Sequence, residues 1–136
     1  RLNEEVTRAQ RQRRSLSLIL LDLDKFKDYN DKHGHLAGDE VLRNAGSIIR
    51  RYIRENVDSG FRYGGDEFAI ILIDADISIA KGIGARIQGA FKETDTVSIS
   101  LGYSIFSEDM TVKDLVADAD KDLYREKVEM KNKQDI

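Results

Sequence analysis

The segment over residues 61–73 constrains the fold most, because two runs with strand character flank a short tip of two glycines and two acids. The runs cover 61–63 and 68–73, and the acids of the tip are Asp66 and Glu67. Paired glycines allow the positive backbone dihedrals of a tight turn, so the segment predicts a β-hairpin. Adjacent carboxylates repel each other, but they suit a divalent cation held beside a substrate phosphate. The simpler alternative is a polar hairpin tip with no further role.

A second acidic cluster follows another apolar run, the nearly continuous stretch over residues 16–23. This run is too short for a buried helix, and it fits a central strand that is covered on both faces. Asp22 and Asp24 stand at its carboxyl end, and residues two apart on a strand point to the same side. Ligands of open α/β sheets bind at this end of the strands. If this strand neighbours the hairpin, the two acidic clusters face each other.

Strands and helices alternate along the whole chain, which is the pattern of a layered fold. We therefore predict the α/β (α+β) class, as a single layered domain over 1–136 whose central, mainly antiparallel sheet is flanked by helices. The other predicted elements are a polar helix over 1–14, a loop over 31–39, amphipathic helices over 37–56 and 76–91, a strand over 97–105 and a helix that begins with a capping box at Thr111.

Composition excludes several classes of protein. The net charge of −3 leaves no overall basic surface for nucleic acid. The absence of cysteine excludes disulfides and thiolate metal sites, and two histidines argue against a structural zinc site. No apolar run approaches the roughly 20 residues of a membrane span and no signal peptide is visible, so we expect a cytoplasmic domain without direct membrane contact. Because the chain begins at Arg1 rather than methionine, we expect it to be truncated at its N-terminus.

Asp22 and Asp24, together with Asp66 and Glu67, predict a metal site if the two strands are neighbours. Three or four carboxylates at close range cannot all stay ionised without a cation, and oxygen ligands select Mg²⁺ or Mn²⁺. Two such ions can activate an attacking hydroxyl group and stabilise a leaving pyrophosphate. A strand-to-helix turn at Lys25 would point free backbone N–H groups at the same space, where they could cradle a phosphate. The residues alone therefore predict a nucleotide-handling metal site and leave the nucleotide open.

Five motifs in the chain, taken in order, resemble those of the GGDEF family of bacterial diguanylate cyclases. The motifs are DLDKFKDYND over 22–31, GHLAGD over 34–39, RYGGDEF over 62–68, SISLG over 98–102, and the spaced Ala-Asp, Leu-Tyr and Lys of 117–127.

The resemblance implies a fold like the palm of adenylyl cyclases and polymerases. It also implies that two GTP molecules are condensed into cyclic di-GMP with release of two pyrophosphates. Each domain of a homodimer would bind one GTP, and the 3′-hydroxyl group of each would attack the α-phosphate of the other across the interface. An upstream sensor domain would control the parent protein, which could be membrane-tethered.

For metal binding and catalysis, the resemblance implies roles in two of these motifs. Asp22 and Asp66 would be metal ligands, together with the backbone carbonyl of Leu23. Glu67 would be a further metal ligand or the base that takes the 3′-hydroxyl proton. Arg62 would help to neutralise charge in the transition state.

For substrate binding, the resemblance implies a guanine pocket and a phosphate site. Asn30 and Asp39 would read the guanine edge, because Asp39 can accept from the N1–H and the N2 amine that adenine lacks. The alternative for Asp39 is an acid that suits the helix dipole. His35 would line the pocket or would only fix the loop. The implied phosphate-binding groups are the backbone N–H groups of Lys25 and Phe26 and the side chains of Lys27, Lys127 and Lys131.

The sequence departs from the family pattern in ways that bear on activity. Lys131 stands where the family's final Gly-Arg-Asn has its arginine, so the charge is kept but the bidentate fork is lost. Of the family's Arg-x-x-Asp product site, Asp58 is in place, but Glu55 holds the arginine position and Arg54 is one residue early. We therefore predict no tight product feedback. The alternatives to an active cyclase are a weak or inactive module that binds GTP or cyclic di-GMP, and a protein-interaction domain with solvated acidic clusters.

Overall fold

The structure is a computed structural model that describes residues 2–12 and 14–134, with side chains described up to residue 131. None of the helices in these ranges is long and apolar enough to cross a membrane. In chain order the elements are α1 (Leu2–Gln12), β1 (Leu16–Leu23), α2 (Phe26–His33), α3 (His35–Tyr52), β2 (Ser59–Arg62), β3 (Glu67–Ile73), α4 (Ile77–Thr94), β4 (Ile99–Ile105) and α5 (Val112–Gln134).

The strands of the described ranges form one antiparallel sheet in the order β2-β3-β1-β4. Every residue of the central strand β1 is buried, because helices cover both faces of the sheet. Ile19 and Leu21 pack in the core cluster that contains residues of α3 and α4, whereas Leu18 and Leu20 pack in the cluster that contains residues of α1 and α5. This alternation is what a strand imposes. The predicted α+β class, with helices on an antiparallel sheet, is confirmed.

The stretch over residues 31–39 is not the loop that its glycines and polar residues predicted. Gly34 alone separates α2 from α3. Its φ of 90° is a conformation that other residues rarely adopt, so this glycine makes the corner. Most side chains around the corner are exposed, and the segment therefore lacks the apolar periodicity of a buried helix. The corner places Asn30 of α2 against Gly38 of α3.

The helix α5 begins with the predicted capping box. Thr111 Oγ1 accepts from Asp114 N, and Asp114 Oδ2 accepts from Thr111 N, each at 3.1 Å. These bonds favour the ionised carboxylate and lower the pKa of Asp114. The reciprocal bonds satisfy N–H groups that the first helical turn leaves open.

The same helix closes the free edge of β4. Glu126 Oε2 accepts from Leu101 N at 2.9 Å, and burial raises the pKa of this carboxyl. Four residues earlier on α5, Asp122 Oδ2 accepts from Tyr103 N at 2.8 Å. These carboxylates take the place of a further strand on an edge that would otherwise expose its N–H groups. Gly102, between the two anchored residues, lets the backbone of α5 approach the strand.

Candidate active site

The carboxyl end of β1 and the hairpin tip lie side by side, because the strands meet the condition set by the sequence and are neighbours. The β1–β3 register pairs Asp22 with Glu67. Leu23 N then donates to Asp66 O at 3.0 Å, which continues the contact beyond the paired residues. Because β1 and β3 are neighbours in the sheet, the predicted metal-binding residues converge at one end of it.

Backbone and arginine contacts close the hairpin tip, rather than special glycine dihedrals. Neither Gly64 nor Gly65 has φ in the left-handed region, so that prediction is wrong. Tyr63 N and Gly64 N both donate to Glu67 O, at 2.8 and 3.3 Å. Arg62 donates through Nε to Gly64 O at 3.1 Å and through Nη2 to Gly65 O at 2.7 Å. The guanidinium group therefore stabilises the turn in this structure.

The two glycines of the tip leave open space beside the acids. A Cβ atom at Gly65 would meet no atom within 4 Å, and one at Gly64 would have Glu67 Oε2 as its nearest neighbour, at 3.4 Å. Neither packing nor backbone conformation therefore demands glycine at these positions. Glycines of this kind are used where a ligand approaches the backbone closely.

Asp22 is a buried carboxylate whose charge is only partly compensated. Its side chain forms an ion pair with Lys127 of α5 through Oδ2, whereas Oδ1 is buried without a hydrogen-bond partner. Burial raises the pKa of Asp22 despite the lysine, and the charges of Asp66 and Asp24 raise it further. An unpaired oxygen of a desolvated carboxylate favours the approach of another cation.

Glu67 lies in the same environment, and α5 adds one further carboxylate near it, that of Asp120. Burial raises the pKa of Glu67, and the carboxylates of Asp22, Asp120 and Asp66 raise it further. Asp120 is not among the site residues predicted from the sequence. A signal for it existed, because Asp120 and Lys127 are seven residues apart and therefore share one face of α5. The helix thus presents one carboxylate, Asp120, and one ammonium group, Lys127, to the end of the sheet.

The site fits a divalent ion that takes some of its ligands from a substrate. Within the part of the chain that the structure describes, no group of three or more His, Cys, Asp or Glu side chains could hold a metal ion alone. Mg²⁺ in proteins is usually held by one or two carboxylates and by substrate phosphates. The unpaired Oδ1 of Asp22, with Asp66 close enough to raise its pKa, offers such a partial ligand set.

The turn between β1 and α2 has the features of an anion site. Lys25 has a left-handed backbone, with φ 53° and ψ 36°, and no side chain caps the start of α2 at Phe26. The first N–H groups of the helix thus lack a side-chain acceptor, and the helix dipole favours an anion there. Lys25 and Lys27 are exposed at this turn, three and five residues after Asp22.

The α2–α3 corner brings the predicted guanine-reading residues together. Asn30 Oδ1 is buried without a hydrogen-bond partner and would lie 1.6 Å from a Cβ atom at Gly38, so this glycine makes room for the amide. Asp39 follows directly, and both Asp39 and His35 are exposed. Because the first turn of α3 contains no acid, the alternative role of Asp39 at the helix dipole loses its basis.

Asp24 and Lys131, which were assigned to the site from the sequence, lie outside its centre. The carboxylate of Asp24 accepts from Ser98 Oγ and from Ser100 Oγ, each at 2.7 Å, and does not join Asp22 as a second open acid. Lys131 lies on α5 one turn beyond Lys127 and is exposed.

Known proteins match this chain both in sequence and in fold. The sequence model of the family described as diguanylate cyclase, GGDEF domain, matches residues 1–133. Diguanylate cyclase DgcS from Shewanella oneidensis is 43% identical over 136 residues, which cover 96% of this chain and 45% of that protein. The chain thus spans less than half the length of this relative.

Two solved structures give the same result. The GGDEF domain of DgcB from Caulobacter crescentus, in complex with c-di-GMP, matches with a TM-score of 0.85 and 26% identity, over 93% of this chain and 80% of that one. The active GGEEF domain of a diguanylate cyclase from Vibrio cholerae matches with a TM-score of 0.85 and 29% identity, over 94% and 86%. The palm-like fold is therefore confirmed, and the chain belongs to the diguanylate cyclase family of GGDEF domains.

Proposed function

We propose that this domain condenses two GTP molecules into cyclic di-GMP and releases two pyrophosphates. One arrangement carries the proposal: the buried, partly paired carboxylate of Asp22 lies beside the two acids of the hairpin tip and close to the uncapped start of α2. Membership of the family and the similarity to named diguanylate cyclases support it.

The phosphates of GTP would bind at the β1–α2 turn. The backbone N–H groups of Lys25 and Phe26 would hold them, and the charges of Lys27 and Lys127 would offset theirs. The side chain of Lys127 is 42% exposed, so it has room to turn from Asp22 towards a phosphate. Lys131, one turn further along α5, would add a weaker contact.

Asp22, Asp66 and the carbonyl of Leu23 would hold Mg²⁺ or Mn²⁺. A bound ion would supply charge for the phosphate oxygens and for the attacking oxygen. We assign the 3′-hydroxyl proton to Glu67, because a carboxyl with a raised pKa accepts a proton near neutral pH more readily than an ordinary one. Arg62 would act mainly by fixing the turn that carries these acids.

Guanine would be read at the α2–α3 corner. The buried, unpaired oxygen of Asn30 supports a ligand-binding role, because buried polar atoms are normally satisfied. Asp39 would accept from the guanine N1–H and N2 amine, and an adenine would leave these bonds unmade. His35 is exposed at the same corner and would line the pocket.

The active species would be a homodimer. One site holds one GTP, so the symmetric product needs two sites that face each other across a two-fold axis. We further propose that an upstream sensor domain of the parent protein, which could be membrane-tethered, controls this association.

The experiment is to incubate the domain with GTP and Mg²⁺ and to quantify cyclic di-GMP and pyrophosphate. We expect both products, and we expect the rate per domain to rise with protein concentration. A parallel coiled coil fused before α1 should remove this dependence by raising the effective concentration. No dinucleotide from the fused dimer at any concentration would refute the proposal.

The second candidate function is a module that binds GTP or cyclic di-GMP with little or no turnover. Two observations favour it, the ion pair that engages Asp22 and the lysine at position 131. In the same assay this candidate predicts saturable binding of GTP without pyrophosphate release. Binding without release would therefore select it over the cyclase.

Asp58, the remaining acid of the product-feedback motif, is surrounded by hydrogen-bond donors of the protein itself. The side chain of Asp58 is completely buried. It accepts from Arg54 N, Nε and Nη2 at 2.8 to 2.9 Å and from Ile73 N at 3.2 Å. These four bonds use the acceptor sites of both carboxylate oxygens, which supports the view that no ligand binds there.

We expect that cyclic di-GMP at low micromolar concentration leaves the initial rate of the wild-type domain unchanged. Replacing Asp58 with alanine should lower the free energy of unfolding by about 2–3 kcal/mol, because buried N–H groups lose their acceptor. Urea denaturation measures this loss, with Glu55→Ala in the same exposed loop as the control, expected within about 0.5 kcal/mol of wild type. Strong product inhibition that Asp58→Ala relieves would contradict the prediction.

A further inference from the structure

The turn after β1 is joined to the start of β4 by three hydrogen bonds around Asp24. Ser98 Oγ donates to Asp24 Oδ2 and Ser100 Oγ donates to Asp24 Oδ1, each at 2.7 Å. The backbone N–H of Asp24 donates to Ser98 O at 2.9 Å. The paired residues of β1 and β4 end with Leu23 and Ile99, so these bonds extend the contact one residue beyond the ladder.

The position of Asp24 makes this arrangement unusual. The cap position of α2 is held by Lys25, a residue without a side-chain acceptor, and Asp24 is the nearest preceding acid that could accept from the first N–H groups of the helix. Here the carboxylate is directed to the two serines instead, and no side chain caps α2. The N–H groups at the helix start are thereby left for an external anion. Two hydroxyl donors also disperse a negative charge that would otherwise repel a phosphate at the turn.

This set of contacts, the clamp of Asp24 by Ser98 and Ser100, is buried on the Ser100 side and exposed at Ser98. Ser100 is 1% exposed, and Met130 of α5 lies over it, with Sδ 4.0 Å from the serine Oγ. Lys25, the next residue along from Asp24, holds a left-handed φ of 53°. Such a conformation is costly for a residue with a side chain and persists where neighbouring contacts fix it.

We propose that Asp24, clamped by Ser98 and Ser100, is a positioning residue that holds the β1–α2 turn in its phosphate-binding form and is not a metal ligand. The inference rests on the proposed function, because it concerns the triphosphate of the same substrate. Removing the clamp should weaken recognition of the phosphates and leave recognition of guanine and of the metal intact.

The test compares the affinities for GTP and for guanosine by calorimetric titration, in wild type and in a Ser98→Ala/Ser100→Ala double variant. We expect the affinity for GTP to fall at least about tenfold in the double variant and that for guanosine to stay within twofold, because two hydrogen bonds to a charged group are lost. Ser98→Thr keeps the hydroxyl group and should behave as wild type. Ser107→Ala, at an exposed serine after β4, is the matched control.

A metal titration separates positioning from ligation. Asp24→Asn should raise the KM for GTP and leave the Mg²⁺ concentration for half-maximal rate within about twofold of wild type. A large rise in that concentration for Asp24→Asn, without one in the serine double variant, would show that Asp24 ligates the metal and would overturn the proposal.

Equal losses of affinity for GTP and for guanosine in the serine double variant would also overturn the proposal, because they indicate general unfolding of the pocket. Failure of the wild-type domain to bind GTP would instead refute the proposed function itself, and the clamp with it.

Discussion

Replacing Asp22 with asparagine should lower the rate of cyclic di-GMP formation by about 100-fold or more and should leave the melting temperature unchanged or higher. The rate falls because a neutral amide cannot hold the ion that offsets charge in the transition state, a contribution of several kcal/mol. The fold tolerates the change because asparagine has nearly the same shape and because Lys127, freed from its ion pair, is exposed enough to turn to solvent. Steady-state rates and thermal unfolding measure the two effects.

The stability effect should depend on pH with a definite sign. Burial raises the pKa of Asp22 above its ordinary value, so the folded domain binds this proton more tightly than the unfolded chain does. Stability of the metal-free domain is therefore lost as the pH rises from about 4 through the raised pKa of the folded state. The asparagine variant lacks this loss, so its advantage over wild type should grow through that window.

The control for this experiment is Asp109→Asn, at an exposed acid in the loop between β4 and α5. It removes the same charge away from the site, and its rate should stay within about twofold of wild type. A melting temperature that falls sharply in Asp22→Asn would mean that the Asp22–Lys127 pair stabilises the fold. The catalytic interpretation of the lost rate would then fail, because unfolding would account for it.

The sequence predicts the strands and the acids at their ends because these depend on local patterns, and it predicts the meeting of the acids only if the two strands are neighbours. A short, nearly continuous apolar run fits a strand covered on both faces, and a hairpin beside it brings Asp66 and Glu67 to the end of β1. The corner at Gly34 was missed for the opposite reason. The residues around it, over 31–36, carry few apolar side chains, so the periodicity that predicts the helix over 37–56 does not extend through the corner.

Contacts between distant parts of the chain could not be predicted in the same way. The register of α5 against β4 decides that Lys127 reaches Asp22 and that Asp120 approaches Glu67, and this register depends on packing rather than on periodicity. Asp24 is similar, because its partners Ser98 and Ser100 lie at the start of β4, more than 70 residues later. The sequence shows two acids with the spacing of metal ligands, and only the fold distinguishes the open one from the clamped one.

Replacing Gly102 with alanine should produce the largest loss of stability among the variants considered, about 3 kcal/mol in the free energy of unfolding. A Cβ atom at this position would lie 2.2 Å from Ala119 O, 2.6 Å from Leu123 N and 2.7 Å from Leu123 Cβ. Two of these atoms belong to the backbone of α5 and cannot move without the helix. The helix would have to withdraw from β4, and its bonds to Leu101 and Tyr103 would lengthen. Urea denaturation measures the loss.

Gly82→Ala is the matched control, because the substitution is identical and the surroundings are opposite. A Cβ atom at Gly82 would meet no atom within 4 Å, and the residue lies inside α4. Alanine there should raise the free energy of unfolding by about 0.5–1 kcal/mol, since it favours the helix and restricts the unfolded chain. Because α5 also carries Lys127, the remaining folded Gly102→Ala protein should lose cyclase activity as well. A Gly102→Ala domain as stable as wild type would show that α5 can shift freely, and the fixed placement of Lys127 over Asp22 would have to be abandoned.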